Sequence, residues 1–229
     1  MTCVVALAKQ GQVYVGADSA GVSGLELEAR ADEKVFNLGP FLIGFAGSYR
    51  LGQLLRYAFA PPSHPEGVPN DLYMVTMFVN EVRKCLREGG QAKVTNEQED
   101  AGGSFIVGYH GGLYVVHSDY QVARPRTDWA AVGSGAQVAQ GALWALDWAF
   151  SQKKDATADE PDPRQVLELA LCAAESYNAG VRGPFVILQP PSPTTPVSEG
   201  LSSFSRVARP RRHHCHQKQA AGVPTSRRR

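Results

Sequence analysis

The chain begins with two groups that could act together as a nucleophile and its base. Thr2 follows the initiator Met1, so removal of Met1 would leave a threonine hydroxyl beside a free α-amine. Such an amine has an unperturbed pKa of about 8, so a useful fraction is neutral near pH 7 and can accept the hydroxyl proton. A hydroxyl activated in this way can attack a carbonyl carbon. Thr2 is therefore the candidate nucleophile.

Two charged residues follow Thr2 at equal intervals. Asp18 and Lys34 each lie sixteen positions after the preceding member of the series. An ammonium beside Thr2 would favour the alkoxide and disfavour protonation of the neighbouring amine. An aspartate beside that ammonium would compensate its charge, because an unpaired ammonium is costly to bury. Taken singly, Asp18 is more typical of a turn and Lys34 of a solvated strand. Their combination with Thr2 favours a catalytic group.

The hydrophobic pattern predicts the elements that must bring these residues together. Short β-branched runs at 2–8 and 13–18 predict one hairpin, and the runs at 34–36 and 41–46 predict another. We predict further strands at 104–109, 113–118, 129–132 and 184–188, and helices at 50–59, 71–87, 137–150 and 163–177. Asp162 is expected to cap the last helix. Paired strands alternating with helices predict an α+β fold with four layers, αββα, in which two stacked antiparallel sheets are flanked by helices.

The composition changes near residue 189. Residues 190–229 contain eight Lys or Arg and one Glu, although the whole chain carries a net charge of only +1, so the preceding part is acidic. This tail is rich in Pro, Ser and Arg and lacks the aliphatic clusters that a core requires. We therefore predict a folded domain over 1–189 and a disordered basic tail over 190–229.

Other features of the composition limit the function classes. No apolar run approaches the ~20 residues that span a membrane, and the N-terminus lacks a basic region before an apolar segment. The four cysteines have no CxxC spacing, and Cys3 is expected to be a core residue because it lacks the terminal amine. We expect a cytoplasmic protein that needs no metal and no cofactor and binds neither membranes nor specific nucleic acid sequences.

Five features of the sequence occur together: Thr2, GADS at 16–19, Lys34, GFAGS at 44–48 and VGSGAQVA at 132–139. In this combination they resemble the N-terminal-nucleophile hydrolases, in the branch of proteasome β-subunits and the bacterial two-ring ATP-dependent protease HslV. The resemblance covers about 2–188, but only the first fifty residues and the GSG segment match motif by motif. It implies a threonine-type endopeptidase subunit that cleaves unfolded proteins or peptides inside a homo-oligomeric ring, with an ATPase unfoldase as a possible partner.

The resemblance also implies roles for three further residues. The backbone N–H of Gly47 would face the developing oxyanion, although this glycine could also simply allow entry into a helix. Ser134 resembles the family serine that orients the terminal amine. Asn178 stands where proteasome β-subunits carry an aspartate, and an amide cannot supply the negative charge of that aspartate. Weaker proton handling at the amine is therefore expected.

A substrate pocket is expected beside Lys34. Period-two alternation would place Asp32, Lys34 and Phe36 on one face of a strand. By resemblance, Asp32, Phe36 and Ala46 are pocket-wall positions. One acid, one aromatic ring and one small residue could accept a basic or an apolar side chain.

Three alternatives remain open. The chain could be a catalytically weak or inactive structural subunit of the same fold, which the substitution at Asn178 favours. It could be an amidase or acylase of the same superfamily that acts on a small molecule. A basic-tailed polyanion binder is favoured by the tail alone.

Overall fold

The N-terminal hairpin forms the centre of the first sheet. The computed structural model describes residues 1–95, 97–152 and 161–190. Strand β1 (Val4–Lys9) pairs antiparallel with β2 (Gln12–Ala17), and Val4 lies opposite Ala17. Strand β12 (Trp129–Val132) pairs with β1, and β13 (Val186–Leu188) pairs with β2. The sheet order is β12-β1-β2-β13.

The second sheet has five strands in the order β11-β10-β9-β6-β5. All its paired neighbours are antiparallel. Its strands are β5 (Val35–Leu38), β6 (Phe41–Gly47), β9 (Gly103–Tyr109), β10 (Gly112–Val116) and β11 (Val122–Ala123). The interior strand β6 is apolar on both faces because other layers cover both sides of the sheet.

Two small hairpins that the hydrophobic pattern did not predict lie outside these sheets. Strand β3 (Ala20–Ser23) pairs with β4 (Glu26–Ala29), and β7 (Lys93–Thr95) pairs with β8 (Gln98–Asp100). The residues of β4 are all exposed, so this strand lacks the alternation of apolar and polar residues that marks a half-buried strand.

The helices lie close to their predicted positions. They are α1 (Tyr49–Tyr57), α2 (Asn70–Tyr73), α3 (Val79–Glu88), α4 (Ala136–Ser151) and α5 (Pro163–Tyr177). The Asp162 side chain accepts a hydrogen bond from the Arg164 N–H and caps α5, as predicted. The continuous helix predicted over 71–87 is interrupted by a π-helical turn, Met74–Phe78. The extra residue of this turn shifts the register, so that Met74 and Phe78 face the same core as α3.

Three apolar cores separate the layers and confirm the predicted α+β sandwich of antiparallel sheets and helices. One core lies between the sheets, one between the second sheet and α1 to α3, and one between the first sheet and α4 and α5. Gly44 lets the sheets approach, because a Cβ there would lie 2.7 Å from Val4 Cγ1 and 2.8 Å from Val15 Cγ1.

Within the described residues, no helix combines the length and the apolar character that a membrane span requires. The predicted tail after residue 190 lies outside those residues, so the domain boundary near 189 stays a prediction.

Candidate active site

Thr2 is held at the start of β1 by the loop that follows β12. It is 4 % exposed, and its carbonyl oxygen accepts a hydrogen bond of 3.1 Å from the Gly135 N–H. Gly133 has a φ of +99°, and a Cβ there would lie 2.3 Å from the Thr2 carbonyl oxygen. A glycine is therefore needed at 133 for both the backbone conformation and the close approach of the loop.

The hydroxyl of Thr2 faces a buried ion pair. Lys34 Nζ donates to Thr2 Oγ1 at 3.0 Å and to Asp18 Oδ1 at 2.9 Å. The Lys34 and Asp18 side chains are 1 % and 0 % exposed. Burial lowers the pKa of the Lys34 ammonium from its ordinary value, and the negative charge of Asp18 opposes that shift. The structure thus brings together the three residues that the spacing singled out.

Asp18 is fixed by backbone donors as well as by Lys34. Its Oδ1 accepts from the Cys3 N–H at 2.9 Å, and its Oδ2 accepts from the Ala20 N–H at 3.0 Å. The register of the first hairpin, with Val4 opposite Ala17, places Asp18 next to Cys3 and so next to Thr2. These bonds hold the carboxylate in the orientation that Lys34 requires.

Ser134 and Asn178 lie on the other side of Thr2. Because Met1 precedes it, the Thr2 nitrogen is a peptide N–H. It donates to Ser134 Oγ at 3.1 Å. Ser134 Oγ lies 3.5 Å from Asn178 Oδ1, and Asn178 Nδ2 donates to the Ser134 carbonyl oxygen at 2.8 Å. Both residues predicted for the amine side therefore lie there, joined by neutral hydrogen bonds.

Met1 occupies a defined position beside the turn after α5. A Cβ added to the buried Gly180 would lie 2.1 Å from Met1 Cβ, so the Met1 side chain packs directly on the glycine backbone. The Thr2 hydroxyl donates to the Met1 carbonyl oxygen at 2.6 Å. The first residue therefore covers the nitrogen and also engages the hydroxyl.

Arg182 connects the two sides of Thr2, and sequence analysis missed it. Its Nη1 donates to the carbonyl oxygens of Glu175 at 3.2 Å, Asn178 at 3.5 Å and Val181 at 2.7 Å. Its backbone N–H lies 3.4 Å from Asp18 Oδ2. The guanidinium satisfies carbonyl groups at the C-terminal end of α5, where a positive charge is favourable. A basic residue soon after a helix end was the available sequence signal.

Gly47 ends β6 in a conformation that requires glycine. Its φ is +150°, and a Cβ there would lie 2.6 Å from the Gly102 carbonyl oxygen. The close approach of the chain at Gly102 explains the residue type on structural grounds. The proposed donation from the Gly47 N–H to an oxyanion stays a prediction.

The structure does not arrange the predicted pocket residues as expected. Strand β5 begins at Val35, so the period-two argument that placed Asp32, Lys34 and Phe36 on one strand face is wrong. Phe36 is 2 % exposed and packs in the core beside the helices. Ala46 does lie near Thr2, because a Cβ at Gly133 would contact its methyl group at 3.1 Å. The pocket roles of these residues stay predictions.

A groove of about 620 Å³ lies between the β3–β4 hairpin and the start of α1. Its walls are the β3–β4 hairpin, Arg30 and Tyr49. The centroid of the Tyr49 ring lies 5.9 Å from Lys34 Nζ, and Arg30 Cζ lies 4.0 Å from the same centroid. The tyrosine ring thus connects the groove to the lysine that contacts Thr2. Burial raises the pKa of the Tyr49 hydroxyl, which is buried without a hydrogen-bond partner among the described residues.

Cys3 is not suited to act as the nucleophile. It is 0 % exposed, and burial raises the pKa of its thiol to about 12. A thiol with that pKa stays protonated near neutral pH. In the part of the chain that the structure describes, no group of three or more His, Cys, Asp or Glu side chains could hold a metal ion.

Comparisons with known proteins give a result at the level of structure. No protein-family model matches the chain, and no curated protein matches its sequence. BPH from Thiobacillus denitrificans is similar, with a TM-score of 0.65 and 21 % identity, over 83 % of this chain and 99 % of that one. The complex of BPH with epoxomicin also matches, with a TM-score of 0.65, 19 % identity and coverage of 82 % and 97 %. HslV from Trypanosoma brucei matches with a TM-score of 0.55 and 17 % identity, over 82 % of this chain and 98 % of that chain.

The chain has the fold of the proteasome-like N-terminal-nucleophile hydrolases. An Anbu mutant from Hyphomicrobium sp. strain MC1 matches as well, with a TM-score of 0.55, 14 % identity and coverage of 82 % and 80 %. At identities this low, the structural similarity establishes the fold alone, and activity must be argued from the residues of this chain.

Within this N-terminal-nucleophile hydrolase fold, the candidate site lies at one end of the sandwich. Strands β1, β5 and β13 begin there, and β2, β6 and β12 end there. Asp18, Lys34 and Ser134 lie in the loops at these strand ends, and Gly47 is the last residue of β6. Residues far apart in sequence therefore meet on a rigid support around Thr2.

Proposed function

We propose that this chain is a threonine-type endopeptidase subunit in which Thr2 becomes the nucleophile after Met1 is removed. The observation that carries the proposal is the buried Lys34 ammonium, 3.0 Å from Thr2 Oγ1 and 2.9 Å from Asp18 Oδ1. Burying an ammonium and a carboxylate is costly, and a well-packed apolar pair would stabilise the fold at least as well. The ion pair is readily explained if the charge of Lys34 acts on the Thr2 hydroxyl.

The proposed reaction is hydrolysis of an amide through an ester intermediate. The free amine of Thr2, directly or through a water molecule, takes the hydroxyl proton, and Oγ1 attacks the carbonyl carbon. The Lys34 ammonium and the Gly47 N–H stabilise the negative charge that develops. The protonated amine then gives its proton to the leaving nitrogen. Water hydrolyses the ester in a second step and regenerates the hydroxyl.

Removal of Met1 is a requirement of this mechanism. A peptide nitrogen is not a base at neutral pH, because its lone pair is delocalised into the carbonyl group. In the structure, the Thr2 hydroxyl donates to the Met1 carbonyl oxygen at 2.6 Å instead of to a base. The chain that retains Met1 is thus an inactive precursor.

Exposed apolar side chains on the helices support assembly into a particle. Trp144 and Trp148, one turn apart on α4, are 60 % and 56 % exposed. Leu169 on α5 is 54 % exposed. Apolar patches of this kind are typical of interaction surfaces, and repeated contacts between copies of one chain can close a ring. By resemblance, the ring would be homo-oligomeric, would enclose unfolded protein or peptide substrates, and would work with an ATPase unfoldase.

Mass analysis of the N-terminus and labelling with epoxomicin test the proposal. We expect purified, assembled protein to lack Met1 and to carry one epoxomicin adduct on Thr2. Epoxomicin is a suitable probe because it forms the complex with BPH noted above. Thr2→Ala protein should show no adduct but elute at the same size in gel filtration.

A non-catalytic subunit of the same fold is the second candidate, and the neutral Asn178 favours it. The same experiment separates the two. Assembled protein that keeps Met1, or that lacks Met1 and still takes no label, would overturn the peptidase proposal.

A further inference from the structure

Arg30 forms part of the groove wall and is paired with Asp32. Its Nε donates to Asp32 Oδ1 at 2.7 Å, and its Nη2 donates to Asp32 Oδ2 at 2.7 Å. This contact occupies both carboxylate oxygens in the parallel geometry that makes arginine–carboxylate pairs strong. It also lowers the pKa of Asp32, so the carboxylate is ionised but already compensated.

Two further contacts fix the position of the Arg30 side chain. Its guanidinium carbon lies 4.0 Å from the centroid of the Tyr49 ring. Its stem crosses Gly21 on β3, where an added Cβ would lie 2.7 Å from Arg30 Cδ. Glycine at 21 therefore leaves the space that the arginine stem occupies. The side chain is held by a packing contact, a cation–π contact and two hydrogen bonds, and it is still 31 % exposed in the groove.

The pair is close enough to the nucleophile to affect a bound substrate. The Tyr49 ring that contacts Arg30 also lies 5.9 Å from Lys34 Nζ, which donates to Thr2 Oγ1. A substrate side chain in this groove would therefore meet Arg30, with its partner Asp32 behind it. Glu26 and Glu28 also line the groove. Glu28 Oε2 lies 3.7 Å from Arg30 Nη1, but its side chain is 76 % exposed, so this pairing is weak and both acids discriminate weakly between substrates.

We propose that Arg30 sets the substrate specificity of this site by masking Asp32, so that the groove accepts uncharged apolar side chains in preference to basic ones. The inference rests on the peptidase function proposed above and narrows its substrate class. A basic substrate side chain would have to displace a guanidinium that is stacked and doubly hydrogen-bonded. An acidic side chain would meet a guanidinium whose charge Asp32 already compensates.

Removing the Arg30 guanidinium, which leaves the Asp32 carboxylate without its partner, tests the proposal. Fluorogenic peptides would carry Leu, Lys or Glu at each of the three positions before the scissile bond. The wild-type protein should prefer Leu, and Arg30→Met should raise kcat/KM for a Lys peptide relative to its Leu counterpart by about tenfold. The double variant Arg30→Met with Asp32→Asn should lose that gain, because the unmasked carboxylate is its source.

Arg124→Met is the matched control. Arg124 Nη1 donates to Asp71 Oδ2 at 2.8 Å, outside the groove, and its removal deletes the same charge. This variant should leave the Lys to Leu ratio unchanged. A ratio that rises equally in both arginine variants would attribute the effect to net charge and overturn the proposal.

A binding measurement keeps failure of this inference distinct from failure of the proposed function. Calorimetry with Thr2→Ala protein, with and without Arg30→Met, would compare the affinities of the Leu and Lys peptides in the absence of turnover. A preference for the Lys peptide while Arg30 is present would overturn the masking role. An unchanged Lys to Leu affinity ratio after Arg30→Met would do the same. If the wild-type protein took no epoxomicin label but the Thr2→Ala protein still bound peptides selectively, the proposed peptidase function would be overturned instead.

Discussion

The two sides of Thr2 are built from different kinds of interaction. The hydroxyl faces a buried charged pair, Lys34 and Asp18, whose side chains are 1 % and 0 % exposed. The nitrogen faces Ser134 and Asn178, which are neutral and in part solvent-accessible. Charged hydrogen bonds in a buried site are strong, whereas neutral bonds near solvent contribute little net energy. The hydroxyl side is thus rigidly specified, and the nitrogen side is the weaker part of the proposed machinery.

Because the two sides differ in this way, we expect substitutions on each side of Thr2 to have different effects. Changes on the hydroxyl side should affect both folding and chemistry, because a buried charge loses its partner. Changes on the nitrogen side should affect chemistry with little effect on folding, because solvent can replace the lost partner.

The largest expected effect is that of Lys34→Met. It leaves the Asp18 carboxylate buried without its cation, so we expect the free energy of unfolding to fall by about 3–5 kcal/mol. Epoxomicin labelling should be abolished because the alkoxide loses the neighbouring ammonium. Urea unfolding and the labelling rate measure the two effects. The double variant with Asp18→Asn should recover stability without recovering labelling, and wild-type labelling by Lys34→Met would show that the lysine has no role in the chemistry.

Ser134→Ala should have the next largest effect. The terminal amine would lose the hydroxyl that orients it, and general-base efficiency depends on that geometry, so kcat should fall by about 100-fold. Ser134 is exposed, so the free energy of unfolding should stay near the wild-type value. Steady-state kinetics with urea unfolding in parallel separate the effects. A loss of stability as large as that of Lys34→Met would remove the distinction between the two sides.

Arg182→Met should have a smaller effect that reaches both sides. The carbonyl oxygens at the end of α5 would lose their donor, so the turn that holds Asn178 would loosen, and we expect kcat to fall by about tenfold with KM unchanged. Arg182→Lys restores the charge and one donor and should recover part of the loss. An effect on KM alone would show that Arg182 contributes to substrate binding and not to positioning.

The smallest expected effect is a shift in the pH profile of Asn178→Asp. A carboxylate near the amine favours its protonated form, so the amine pKa should rise. The base must be unprotonated, so the acidic limb of the profile of kcat/KM should move to higher pH. Asn178→Ala also removes the Nδ2 donation to the Ser134 carbonyl oxygen, together with the bonds that Oδ1 accepts, but it adds no charge and should leave the limb in place. Identical profiles for both variants would show that charge at 178 does not reach the amine.

The sequence predicted the hydroxyl side better than the groove. The first hairpin, which the β-branched runs at 2–8 and 13–18 predict, brings Asp18 to Thr2. Lys34 was expected within a strand, but it precedes β5, which begins at Val35. The β3–β4 hairpin was missed because its exposed strand β4 has no buried face to reveal it. Arg30 and Asp32 are only two positions apart in the sequence. Their pairing, however, depends on the space above Gly21, which no local sequence pattern indicates. Arg182 was missed because it acts on backbone carbonyls and belongs to no motif.

Because Met1 contacts Gly180, removal of the first residue would change the local packing as well as the Thr2 nitrogen. The Met1 side chain packs on the Gly180 backbone, and the Met1 carbonyl oxygen accepts a hydrogen bond from the Thr2 hydroxyl. If Met1 is removed as proposed, the Thr2 hydroxyl loses this hydrogen bond, and in the same step the Met1 side chain leaves the space above Gly180. The chain with Met1 and the chain without it would thus differ in the packing around Gly180 as well as in activity. Under the proposed mechanism, the chain would stay inactive until the peptide bond between Met1 and Thr2 is cut.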